Sequence, residues 1–434
     1  MENYSIVLFI MALMIGLSAI ATKIKIPYPI ILVSAGIAIG FIPRMPDIAI
    51  NPEIVFLIFL PPLLFDAAYN ISFKELKRNL ATVTTLVIPL VFMTTSAVAV
   101  AVHYLIPGMT WPISFILGAI LSPPDAVAAT GITKGLGLSH RTLTILEGES
   151  LVNDASGLIA YRFAVAAVSG VGFSLWSAYG QFLLAVAGGM LVGISVGWVL
   201  ATFLKQIYGN SLIAISAMAI APFIAYLLAE EFEVSGVLAV VVLGVSLSVF
   251  TNRLFPTQIK YQNKSFWDVI IFLLNGLVFI LIGLAFPQVV SKIDHSDILP
   301  LIGYSFLISF IMLVFRILWV FGHSNNLRKK VDLRLKGLDK YRFRMYADEK
   351  IDWKNSLIIG WSGMRGIVSL ASALSLPLAL DDGTVFPQRE VLIFISVIVV
   401  LITLIVQGLS LPLLVKLLKV EEEQVSVNES SGSN

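Results

Sequence analysis

Residues 147–157 read Glu147-Gly148-Glu149-Ser150-Leu151-Val152-Asn153-Asp154-Ala155-Ser156-Gly157, a polar run inside an apolar stretch. At helical spacing Ser150 and Asp154 are four apart and share a face, while Glu149 and Asn153 share the adjoining one. All are hard oxygen donors, with no histidine or cysteine among them, and they suit a hard cation rather than zinc or copper. One free carboxylate, an amide, a hydroxyl and main-chain carbonyls make a weak monovalent-ion site; a divalent site gathers more carboxylates. Burial favours the neutral form of Asp154, so it can hold a proton near neutral pH and release it when a cation arrives. A second bare carboxylate beside it would be expensive. Glu149 therefore needs a cationic partner, and Arg365 is the leading candidate, in a pair that supports the fold.

Two further stretches combine a helix-breaking sequence with a charge. Ser122-Pro123-Pro124-Asp125 loses two backbone donors and is followed at once by a carboxylate. Gly360-Trp361-Ser362-Gly363-Met364-Arg365-Gly366 has three glycines around an arginine. A proline in a membrane helix ordinarily makes only a kink, but here each break coincides with a charge. Crossed half-helices would bring their terminal partial charges together, Asp125 offsetting the N-terminal ends and Arg365 the C-terminal ones. Asp66, at the end of Leu60-Pro61-Pro62-Leu63-Leu64-Phe65-Asp66, either lines an ion path or caps its helix at the interface. Arg162 either pairs with Glu147 or snorkels outward, and Arg316 is expected to snorkel near a helix end. His103, His140, His295 and His323 fall near span ends and read as interface residues. Gly188, Gly189, Gly193 and Gly197 form a small-residue packing seam.

These residues must be positioned inside a membrane. Of the 434 residues 58% are hydrophobic and 13% charged, with a mean hydropathy of +0.92; soluble domains carry about a quarter charged residues. Cysteine is absent, which excludes disulfides and thiolate chemistry. A net charge of +2 points to neither nucleic acid nor an acidic partner. A window of about 20 apolar residues predicts thirteen spans, at 5–22, 28–43, 51–70, 80–105, 112–133, 142–168, 177–204, 210–229, 234–250, 266–288, 297–321, 354–380 and 390–418. With the N-terminus outside, 23 of the 29 lysines and arginines fall in cytoplasmic segments and three (Arg44, Lys292, Arg389) in outside loops. The other three, Arg162, Arg316 and Arg365, lie within spans. The start of the chain lacks a basic region and a cleavage site, so it reads as a retained first helix. Residues 322–353 are expected to form a basic cytoplasmic loop, and 421–434 a short disordered tail. Spans five and twelve are seven apart and run in opposite directions. With span seven as a linker, spans 1–6 and 8–13 form inverted halves whose paired breaks point to a transport site at the midplane.

At Ser122-Pro123-Pro124-Asp125-Ala126-Val127-Ala128, Glu149-Ser150-Leu151-Val152-Asn153-Asp154 and Gly363-Met364-Arg365-Gly366-Ile367-Val368-Ser369-Leu370, the chain resembles the sodium/proton antiporters of the monovalent cation:proton antiporter superfamily. The likeness is to the branch of bacterial NhaP-type and eukaryotic exchangers, over essentially the whole membrane domain, 1–420. It implies an all-α fold with inverted six-helix repeats and a homodimer. Interface-type helices would lie at about 1–75 and 210–290, core-type helices at about 80–168 and 297–418, and the linker at about 177–205. It implies exchange of Na⁺, Li⁺ or K⁺ for H⁺ by alternating access, with no cofactor and no enzymatic activity. Asp154 resembles the essential cation- and proton-binding aspartate, with Ser150 and the Asp125 region completing the sphere around Na⁺. Glu149 and Arg365 match the family's stabilising pair, and Asp66 sits where some relatives carry an acidic residue facing the ion path. Asn153 stands where electrogenic relatives carry a second aspartate, which implies electroneutral one-for-one exchange. Pro124 replaces the family's usual threonine, so only a main-chain carbonyl is left to contribute there. The lack of a long C-terminal domain implies a prokaryotic plasma-membrane member.

Two rival readings remain on residue grounds. An intramembrane aspartyl protease would show Tyr-Asp and Gly-x-Gly-Asp motifs, which do not occur here. A passive cation channel would need a continuous polar path and no coupling to protons.

Overall fold

Within hydrocarbon every backbone N–H and C=O must find its partner inside its own segment, and an apolar helix achieves that alone. The computed structural model describes residues 2–24, 26–42, 52–71, 73–125, 140–168, 175–207, 209–335, 353–380 and 383–418, and among these it is nearly all helix. The helices are α1 (Glu2–Ile24), α2 (Tyr28–Gly40), α3 (Pro52–Asn70), α4 (Phe73–Leu105), α5 (Trp111–Leu121), α6 (His140–Val168) and α7 (Leu175–Gln206). They continue as α8 (Ser211–Glu231), α9 (Gly236–Leu254), α10 (Thr257–Ser291), α11 (His295–Leu335), α12 (Trp353–Trp361), α13 (Ile367–Leu374) and α14 (Arg389–Leu418). The one β contact among the described residues is an isolated bridge, Ala379 to Val385.

A helix lies within each expected span, and the twelfth is split into α12 and α13. Among the described residues, six segments are long and apolar enough to cross a bilayer: Leu183–Gln206, Ser211–Glu231, Gly236–Leu254, Thr257–Ser291, His295–Asn325 and Arg389–Leu418. Their outward faces carry large exposed apolar side chains such as Leu184, Trp198, Leu212 and Leu417, which a lipid solvent accommodates. Three helices run well past their expected boundaries: α4 begins at Phe73 where 80 is expected, α10 at Thr257 where 266 is expected, and α11 overruns its end. The eleventh span was expected to end near 321, but α11 continues to Leu335 and takes in the first part of the basic segment as helix. Residues 126–133 of the fifth span, the remainder of the basic segment to 352 and the tail 421–434 lie outside the described residues.

Packing gathers into two main apolar clusters. One is built mainly from α4, α5, α10, α13 and α14, with Val98, Leu117, Phe279, Leu370 and Phe394 at its centre. The other draws on α3, α7, α8 and α9 with Phe65, Leu204, Met218 and Leu243. Close approach of α7 to the start of α9 depends on the expected glycine seam: a Cβ at Gly193 would lie 2.4 Å from the Ala239 carbonyl oxygen. Ile367 of the first cluster and Leu64, Ile271 and Val368 of the second line a shared cavity, so the polar site lies where the two clusters meet.

Candidate cation site

The two broken segments meet backbone to backbone. Helix α5 stops at Leu121 and α12 at Trp361, and the backbone is non-helical through Pro123-Pro124-Asp125 and through 363–366. The Asp125 amide donates to the Met364 carbonyl at 2.7 Å, which ties one break to the other. The Asp125 carboxylate lies against Gly366, the residue that opens α13; a Cβ there would sit 1.6 Å from Oδ2. Only glycine allows this approach, and it sets a carboxylate beside the partial positive charge of a helix N-terminus.

Arg365 is 2% exposed and turns the other way. Its Nε donates to the Leu121 carbonyl at the C-terminal end of α5, and its Nη1 to the Gly363 carbonyl at 2.5 Å. Its Nη2 lies 3.6 Å from Met312 Sδ, and its backbone amide donates to Thr403 Oγ1 at 3.1 Å.

That geometry corrects the expected ion pair. Glu149, 1% exposed, is hydrogen-bonded by Arg316, while Arg365 lies only within electrostatic range of it. Arg316 Nη1 reaches Oε1 at 2.5 Å and Nη2 reaches Oε2 at 2.9 Å, a bidentate fork. Arg316 also donates through Nε to the Ile359 carbonyl near the end of α12, at 3.2 Å. The expectation that Arg316 snorkels fails for a simple reason. Because α11 runs on to Leu335, residue 316 lies well inside the helix and turns inward. Arg365, in turn, is already committed to the carbonyls of the two breaks.

The two stripes of α6 separate as their spacing requires. Asn153, fully buried, donates through Nδ2 to Glu149 Oε1 at 3.2 Å and does not line the cavity. Ser150 and Asp154 do line it, in a space of about 90 Å³ shared with Asp66, Pro123, Pro124, Asp125 and Asn275. Ser150 Oγ donates to the Pro124 carbonyl at 3.3 Å, so that carbonyl faces α6. Asp125 lies within electrostatic range of Asp154. Asp66 accepts from Asn70 Nδ2 at 2.7 Å and lines the cavity. Lys264 and Asp268 of α10 lie within electrostatic range of Asp66. The sequence reading passed over Asn275 and Asp268. The signal for Asn275 was available, since a lone amide interrupts Ile270-Ile271-Phe272-Leu273-Leu274. Arg162 pairs with Glu230 of α8 at 2.6 Å; the side chain of Glu147, its expected partner, lies outside the described residues.

The family described as "Sodium/hydrogen exchanger, transmembrane" matches residues 8–417. The chain belongs to the sodium/hydrogen exchanger family. A sodium, potassium, lithium and rubidium/H⁺ antiporter of Bacillus pumilus is 34% identical over 95% of the chain and 61% of its own length. The Na⁺/H⁺ antiporter ApNhaP of Aphanothece halophytica is 32% identical over 95% of the chain and 73% of the relative. The chain thus spans about three fifths of the length of the Bacillus relatives. The solved structure of a sodium proton antiporter from Methanocaldococcus jannaschii superposes with a TM-score of 0.72 over 97% of this chain and all of that one, at 20% identity. That likeness is one of fold, an all-helical multi-pass membrane protein. Among the described residues, the polar side chains that line the cavity at the crossing are the carboxylates of Asp66, Asp125 and Asp154, the hydroxyls of Ser150 and Ser369, and the amide of Asn275.

Proposed function

We propose that the protein is a secondary antiporter that exchanges Na⁺, or Li⁺ or K⁺, for H⁺ at Asp154. The observation that carries this reading is the cavity at the crossing, where Asp154 meets Ser150, Asp125 and the Pro124 carbonyl among carboxylates, hydroxyls and an amide. Such a set binds a hard monovalent cation weakly enough to release it. A carboxylate there accepts either the cation or a proton, so the two compete for one position. Asp154 is the shared ligand, Ser150 and Asp125 complete the sphere, and Asp66 lines the approach. The Glu149–Arg316 pair with Asn153, and Arg365 on the helix ends, hold the crossing. The names of the relatives support this substrate class.

The same reading has the inverted six-helix halves alternate access, core-type helices moving against interface-type helices in a homodimer. It places the protein in the plasma membrane of a prokaryote, with the N-terminus outside and the C-terminus in the cytoplasm. One titratable carboxylate per cycle gives electroneutral exchange. The test is reconstitution into liposomes with an imposed inside-acid pH gradient, adding each alkali chloride in turn. Cation-dependent proton efflux is expected. A gradient that ignores every alkali cation, or collapses without cation counterflow, rejects antiport.

A further inference from the structure

We propose that Asn275 is a ligand of the transported cation, supplying its Oδ1 from α10 on the wall of the cavity to which Asp154 also belongs. The inference deepens the antiport reading and rests on it. Asn275 is 2% exposed and lines the cavity. Its side chain is hydrogen-bonded to Tyr28 of α2, yet its Oδ1 has no hydrogen-bond partner among the described residues. The bond to Tyr28 is therefore made by the amide nitrogen, and the carbonyl oxygen is left buried without a hydrogen-bond partner on a residue of the cavity wall. A buried acceptor without a partner is costly, and a bound cation removes that cost. Other buried amide oxygens without partners occur at Asn153, Asn263, Asn355 and Gln407, but none of those residues lines the cavity.

The rotation of α10 is set by its packing. Gly276, the next residue, is pressed against α1, where a Cβ would lie 2.3 Å from Met14 Sδ. Ile271, one turn before Asn275, lines the same cavity, so this face of α10 is turned to the ion. Asn275 comes from a continuous helix outside the two breaks and outside α6. It gives the ion a neutral oxygen that does not titrate and does not alter the charge moved per cycle.

The test measures apparent KM for Na⁺ in liposomes together with the Na⁺-dependent rise in melting temperature in detergent, choline serving as the control salt. Asn275→Ala and Asn275→Leu should each raise KM about tenfold, a loss of the size expected for one ligand, and shrink the Na⁺-dependent stabilisation. Asn275→Gln retains a neutral amide oxygen and should raise KM less than either the Ala or the Leu variant. An unchanged KM in both the Ala and Leu variants, with only maximal rate or expression reduced, assigns Asn275 to packing and overturns the proposal. A Gln variant as weak as the Ala variant also overturns it, because the amide oxygen is then not the operative atom. Asp154→Asn separates the two levels: if it exchanges like wild type the site reading itself fails, and if it is inert the Asn275 result stands on its own.

Discussion

Glu149 and Asp154 are carboxylates five residues apart on α6, and the fold treats them in opposite ways. Glu149 is gripped by both terminal nitrogens of Arg316 and by Asn153, and its cluster is closed. Asp154 faces a cavity of about 90 Å³ in the company of Asp125 and Asp66. The difference lies in which helix each faces: α11 and the end of α12 meet the Glu149 stripe with a guanidinium, while the two breaks and α3 meet the Asp154 stripe with oxygen. A membrane carboxylate with a fixed cationic partner is part of the structure. One that faces other oxygens is left to bind a mobile cation or proton.

The comparison breaks most sharply at its two centres. Asp154→Asn should remain folded and inserted yet lose all cation-driven proton release, measured as fluorescence dequenching in liposomes. Near-normal exchange would remove Asp154 from the centre of the site. Arg316→Ala should instead cost about 3–5 kcal/mol of stability, because it strands a buried carboxylate. Its expression and melting temperature in detergent should fall far below those of Asp154→Asn. If Arg316→Ala melts like wild type, Glu149 is held by something else.

A smaller effect tests the link between the two regions. Gly366→Ala places a methyl where the Asp125 carboxylate sits, and overpacking of this kind costs about 1–3 kcal/mol. Exchange should drop more than the melting temperature does, since Asp125 is pushed off α13. Equal exchange in Gly366→Ala and wild type would show that the Asp125 position is not needed.

The next effect is graded. Because protons and cations compete at Asp154, the apparent KM for Na⁺ should rise by up to about tenfold per pH unit on acidification, for one proton per site. Maximal rate should change much less. A KM that stays constant across the titration range would require separate proton and cation sites. The smallest expected effect is none: under a valinomycin-clamped potassium potential of either sign, the exchange rate should not change. A moved charge is worth about 2.3 kcal/mol per 100 mV, so a second exchanging proton at Asp125 would be plain in this measurement.

Much of this arrangement was legible before any coordinates. The Pro-Pro and Gly-rich breaks, each with its charge, announced the crossing because backbone chemistry at those residues is local. The pairing of Ser150 with Asp154 and of Glu149 with Asn153 followed from helical spacing within one segment. What was misread depended on other helices. Arg316 was assigned to a helix end because the polar residues after 321 looked like a loop, whereas α11 absorbs them as helix through Leu335. In α10 a lone amide at Asn275 marks a polar contact, but nothing in that helix alone says which neighbour Asn275 or Asp268 faces.

The amino-acid sequence by itself determined that the chain is a multi-pass helical membrane protein, where two helices break, and which side chains share a face of α6. These follow from hydropathy, from backbone donors that proline removes, and from a rise and turn common to every α-helix. Tertiary structure alone decided that Arg316 forks onto Glu149, that Asp125 rests on Gly366, and that Asn275 of α10 lies on the cavity wall. Each of those depends on the rotation of one helix about its axis relative to another. That rotation is set by close contacts far apart in the chain, such as Gly276 against Met14 and the Asp125 amide on Met364.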